Sequence, residues 1–178
     1  MSDLGIREMG EALESRIAAK IRPMQIIVAA MALGCIFLGV VMMVIPSMNE
    51  DGPPEVPLIS YIALLFVGGA LVMRIIISMV LTNQGRTTVV QESANLSPEE
   101  VADRFIGLYQ TQLIITSALL EGPAFFLLIA FMVEGWIVCP IVAGVLVIGI
   151  LTGFPTVSRV SGWIQDQIQI IEQRQLLR

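Results

Sequence analysis

The sequence contains no histidine. That absence removes the commonest general base, the commonest transition-metal ligand and the usual switch near neutral pH. Charge is scarce as well: 14 % of the 178 residues are charged, where soluble domains run nearer about a quarter. A net charge of −5 leaves no basic patch of the kind nucleic acid requires. Cys35 and Cys139 both lie in apolar runs, where a free thiol behaves as a small hydrophobe. A disulfide or cysteine–metal framework is not expected from them. No nucleotide loop, nucleophile elbow or CxxC pair occurs. The expectation is therefore no catalytic residue, no metal and no cofactor.

What the chain has is apolar length, with 56 % of its residues hydrophobic. Crossing a bilayer takes about 20 predominantly apolar residues in a helix. Four stretches are long enough: 24–45, 58–81, 113–133 and 136–154, the last lightly interrupted by Pro140. Hydrocarbon offers the backbone no hydrogen bonds, so each should be helical. The first apolar run begins only at Met24 and no A-x-A-like site follows it. It reads as a retained span rather than a signal peptide.

Loop charge sets the expected orientation. Arg7, Arg16, Lys20 and Arg22 precede the first span; Arg86 and Arg104 lie between the second and third; Arg159, Arg174 and Arg178 follow the fourth. The loops 47–57 and 134–135 hold no Lys or Arg, and their charged residues are Glu50, Asp51, Glu55 and Glu134. The excess of basic residues on one side places both termini in the cytoplasm, consistent with an even number of spans. The expected setting is the inner (cytoplasmic) membrane of a bacterium.

Local signals refine the picture. The prolines of NEDGPPEVP make the first outer loop a short extended bridge. The polar inner loop 82–96 ends in SPEE, with Ser97 as N-cap, Pro98 at the first helical position and Glu100 completing a capping box. The third helix should therefore start near Pro98 and run to 133. Ile6, Met9, Leu13, Ile17 and Ile21 share one helical stripe, as do Val157, Val160, Ile164, Ile168 and Ile171 beyond Pro155. Each terminal helix is expected to lie in the headgroup layer or to pack on a neighbouring chain. Trp136 and Trp163 read as interface anchors, and Gly149 with Gly153 as a small-residue packing pair. The expected fold is all-α, one membrane domain of four transmembrane helices. Amphipathic cytoplasmic helices, 1–22 and 156–178, flank it.

Glu121 and Arg74 are the ionisable residues that this reading puts deep inside spans. Counted from the cytoplasmic ends at about 1.5 Å per residue, they stand at nearly the same depth. A charge there costs about 2.5–3.5 kcal/mol on insertion scales. Pairing across consecutive antiparallel helices would offset part of that cost for both. Thr116 and Ser117 lie about one turn below Glu121, and Gly122-Pro123 marks a helix break that frees the Leu119 carbonyl. Two readings stay open: a buried pair that fixes helix packing, or an ion or proton site.

The stretch PEEVADRFIGLYQTQLIITSALLEGPAFFLLIAFMV carries Pro98-Glu99, Gln110-Thr111, Ala118-Leu119-Leu120-Glu121 and Ile129–Val133. It resembles the carboxylate-bearing helix of the rotary ATP synthase c subunit, the proteolipid. The resemblance spans residues 98–133 and implies that Glu121 is an ion-carrying carboxylate. The chain departs from that pattern in its four spans, in a second span whose adjacent glycines are only Gly68-Gly69, and in the presence of Arg74. The function expected is a non-catalytic subunit or self-assembling component of a membrane complex, partnered by lipid and by copies of itself or other membrane subunits. The alternative is a small ion or proton channel or transporter centred on Glu121.

Overall fold

The protein is seen in a computed structural model that describes residues 3–44, 55–92, 98–164 and 166. Every regular element among them is a helix: α1 (Asp3–Val44), α2 (Leu58–Glu92), α3 (Pro98–Glu134), α4 (Val138–Thr152) and α5 (Val157–Ile164). The segments Ala18–Val44, Leu58–Leu81 and Asp103–Glu134 are each long and apolar enough to cross a bilayer. The pair α4 and α5 meets the same test only together, and is bent by 68° at its break.

Helix boundaries follow the breakers. α3 opens at Pro98, where a missing N–H removes nothing the first turn needs; its expected cap, Ser97, lies outside the described residues. It closes at Gly135, whose φ of 68° is open to glycine at little cost. The Gly135 N–H reaches back to the Phe131 carbonyl at 2.7 Å, a left-handed C-cap. α4 opens just ahead of Pro140, which therefore sits in a first turn and interrupts nothing. Gly153 and Phe154 donate to Ile150 and Leu151 in a tightened last turn before Pro155.

Two expected boundaries differ. The N-terminal helix 1–22 and the span 24–45 form one helix, with Pro23 inside α1; a proline withholds a single rung and the apolar face continues past it. The loop expected from residue 82 is instead the end of α2, which runs to Glu92. Residues 82–92 are polar, but polarity ends a span rather than a helix. Gly85 is the weakest helix former among them, at about 1 kcal/mol, and no proline interrupts the stretch. Most of the outer loop, 45–54, and of the C-terminal tail, 165 and 167–178, falls outside the described residues.

The chain divides into two units, Met1–Ile26 with Ser78–Leu113 and Pro155–Arg178, and Ile27–Ile77 with Ile114–Phe154. In the first, Ile21 and Met24 of α1, Phe105 and Ile106 of α3, and Val160 and Ile164 of α5 form a buried core. Trp163 meets Phe105 and Tyr109 edge-on, with ring centroids 6.2 and 5.4 Å apart. The described part of the tail thus packs on its own chain. Gln25 Nε2 donates to the Pro155 carbonyl at 2.9 Å, holding the α4–α5 break against α1. Gln112 Nε2 donates to Ser78 Oγ at 2.8 Å, and an exposed Lys20–Asp103 ion pair of 2.9 Å adds little.

In the second unit α3 is the central helix. Its Phe125 and Leu128 lie 3.5 and 3.7 Å from where a Cβ on Gly34 or Gly39 of α1 would stand. Its Phe126 meets Phe66 of α2 edge-on at 6.0 Å. Its Leu120 comes within 3.3 Å of the Cβ position of Gly149 on α4. A side chain at Gly149 would require the Leu120 δ-methyl to give way by a few tenths of an ångström. Of the three long spans, 44 % of the α3 window is buried within the chain, against 17 % in α1 and 11 % in α2.

Candidate functional site

Two acids of α3, Glu121 and Glu134, define contrasting environments. Glu134 is the last residue of α3 and is only 6 % exposed. Sequence placed it in an outer loop; the structure buries it against the start of α2. One carboxylate oxygen accepts the Ile59 N–H at 2.7 Å, and the other accepts the Ser60 N–H at 2.8 Å and the Ser60 hydroxyl at 2.5 Å. Ser60 is itself fully buried, and the Cys139 thiol of α4 lies beside its hydroxyl. Tyr61 and Trp136 close the same corner with ring centroids 5.5 Å apart.

The physical reason lies at the start of α2. The first four N–H groups of a helix have no partner within it, and a Ser, Thr, Asp or Asn side chain ordinarily supplies one. Here Pro57 precedes α2, and its first turn holds no acid. Glu134 supplies the missing acceptor from another helix and places its charge at the positive end of the α2 dipole. At the end of α3 that charge would otherwise oppose its own helix dipole. The signal available in sequence was negative: a helix start, PLIS, without a capping residue.

Glu121 is half-buried at mid-span, and so is Arg74. Among the described residues, no hydrogen bond or ion pair joins Glu121 to Arg74, and neither has another such partner. Helix geometry explains the missing pair. At about 100° per residue, Phe125 and Leu128 lie within about 40° of Glu121 around α3. Those two residues meet α1. Phe126 and Glu134, which meet α2, are each about 140° away. Glu121 therefore faces α1, where the buried Cys35 thiol is within its electrostatic reach. The register adds to this: eight residues on from Phe66 is Arg74, and eight back from Phe126 is Ala118. That leaves Glu121 about 4.5 Å above Arg74 along the axis. Residue counts gave the axial position only to within about one turn, and they carried no information on which neighbour each side chain faces.

The other expected site residues divide in the same way. Ser117, buried at 4 % exposure, lies one turn below Glu121 and about 40° from it. Thr116 is half-buried and about 140° from Glu121, toward the α2 side. α3 continues as one helix through Gly122 and Pro123, so the rung lost at the Leu119 carbonyl is a local defect rather than a break. Pro123 is buried, while Gly122 is exposed, with nothing within 4 Å of a Cβ built there. Both cysteines are free and buried. Among the described residues, no three Cys, Asp or Glu side chains gather as a metal site. No protein-family model, curated protein or solved structure matches this chain.

Proposed function

We propose that this chain is a non-catalytic, four-span membrane protein that serves as a subunit or self-assembling component of a membrane complex. The observation that carries the reading is the uneven burial of the spans. α2 buries 11 % of its span window and α1 17 %, while both keep a mid-length apolar surface, with Leu65 78 % and Phe37 71 % exposed. Such faces are satisfied by lipid or by another membrane helix. In this reading α4, with the flanking residues 136–137 and 153–154, makes the fourth crossing. Both termini lie in the cytoplasm of a bacterial cell, following loop charge. Mass measurement of the protein in native-like nanodiscs tests it: an assembly of several copies is expected, and a strictly single chain overturns it. Orientation is checked by an impermeant thiol reagent, which should reach a cysteine at the exposed Glu55 and not one at the exposed Asn83. Gly135 is a poor reporter position because its positive φ disfavours a side chain.

A second reading, an ion or proton path centred on Glu121, is favoured by one observation. Among the described residues the carboxylate has no hydrogen-bond or ion-pair partner, and Ser117 stands one turn below it. The proteolipid likeness of 98–133 belongs to this reading. Proton or cation flux in liposomes that is abolished by Glu121→Gln would support it; absence of flux would remove it.

A further inference from the structure

We infer that Arg74 of one protomer pairs with Glu121 of its neighbour, joining copies of this chain through an in-membrane ion pair. The inference rests on the self-assembly reading above and names the contact that assembly uses. Three observations carry it.

First, the chain places one cation and one anion at mid-span, and among the described residues neither has a hydrogen-bond or ion-pair partner. An ionisable group in hydrocarbon is retained where it meets a partner, a backbone acceptor or water. A second copy, inserted in the same orientation, supplies the missing opposite charge to both. The axial offset of about 4.5 Å between Arg74 and Glu121 carries over to such a neighbour. An arginine side chain spans that distance by bending along the helix.

Second, both residues are half-exposed rather than enclosed. Arg74 is flanked on α2 by exposed Leu71 and Ile75. Glu121 borders an open stripe of α3 that includes Ala118 and Gly122, where a built Cβ meets nothing within 4 Å. Small residues beside an acid let another helix approach its carboxylate closely. Third, Arg74 stands on α2 and Glu121 on α3, so a contact between them uses two different patches of the chain. A contact made from two different patches is head-to-tail, and such contacts propagate into a ring where the rotation closes.

The test is charge exchange between separately tagged copies, read by subunit counting in nanodiscs. Arg74→Glu alone and Glu121→Arg alone should each lower the assembled fraction at least tenfold. Co-expression of the two should restore it, because every interface between unlike copies regains opposite charges. The double variant Arg74→Glu/Glu121→Arg should also assemble. Restoration by the double variant but not by the mixture overturns the inference, since that pattern marks a pair within one chain. So does an assembly unaffected by either reversal, which leaves the self-assembly reading standing on other contacts. A wild-type protein that is a single chain removes both. Should a reversal prevent membrane insertion, a cross-link replaces it. In a Cys35→Ala/Cys139→Ala background, copies with Arg74→Cys should join copies with Glu121→Cys through a short bis-thiol reagent. Lack of that mixed product, with wild-type assembly retained, overturns the contact; lipid headgroups as the partner of Arg74 would give that result.

Discussion

Glu134 and Glu121 stand on the same helix and meet opposite fates. Glu134 ends α3 beside the start of α2 and receives three hydrogen bonds. Glu121, at mid-span, receives none among the described residues. The difference is where backbone donors are available. Within a span every N–H is committed to its own helix, so a mid-span acid finds only side chains or another molecule. At a helix start four N–H groups are uncommitted, and one carboxylate can satisfy two of them and the dipole together. An acid in a membrane bundle is thus cheap at a helix end and costly at a helix middle.

The comparison is broken most directly at Glu134. Glu134→Ala is expected to destabilise the protein by about 3 kcal/mol or more, because buried donors left unmet cost about 1–3 kcal/mol each. Glu134→Gln should lose less, as its carbonyl keeps one acceptor oxygen. Unfolding in mixed detergent micelles measures both, and a neutral alanine variant would show that the cap contributes nothing. Next in size is the α4 side of the same central helix. Gly149→Val should cost about 1–3 kcal/mol by overpacking against Leu120, from a starting gap of 3.3 Å. Gly144→Ala on the same helix, with open space around it, should cost nothing measurable.

Ser60→Ala removes one of the three donors and leaves both backbone bonds, so about 1 kcal/mol is expected. The smallest effect belongs to Glu121. Glu121→Gln should shift unfolding of the dispersed protomer by about 0.5 kcal/mol or less, because no intramolecular bond is lost. In a double-mutant cycle on that protomer, Glu121→Gln and Arg74→Met should be additive. A coupling of about 1 kcal/mol or more would mean that they touch within the chain.

Much of the architecture was legible because it is local. The apolar runs marked the three long spans, and Pro98 with its capping box marked the start of α3 within a residue. The end of α2 was not legible in the same way. Hydropathy reports where lipid stops, and residues 82–92 continue a helix beyond that point. The site was half legible. Glu121 was visible as an acid in an apolar run, whereas Glu134 was hidden because an acid next to a glycine reads as a turn.

By itself, the sequence determined the all-helical class and the helices long and apolar enough to cross a membrane, since these follow from hydration and the rise of a helix. The tertiary structure decided which side of each helix meets which neighbour. That choice turns Glu121 toward α1 and away from Arg74, seats Leu120 against Gly149 and brings Glu134 to the uncapped start of α2. Azimuth and partnership depend on how several helices pack at once. A rotation of about 140° around one axis leaves the hydropathy of the sequence unchanged and changes every contact its side chains make.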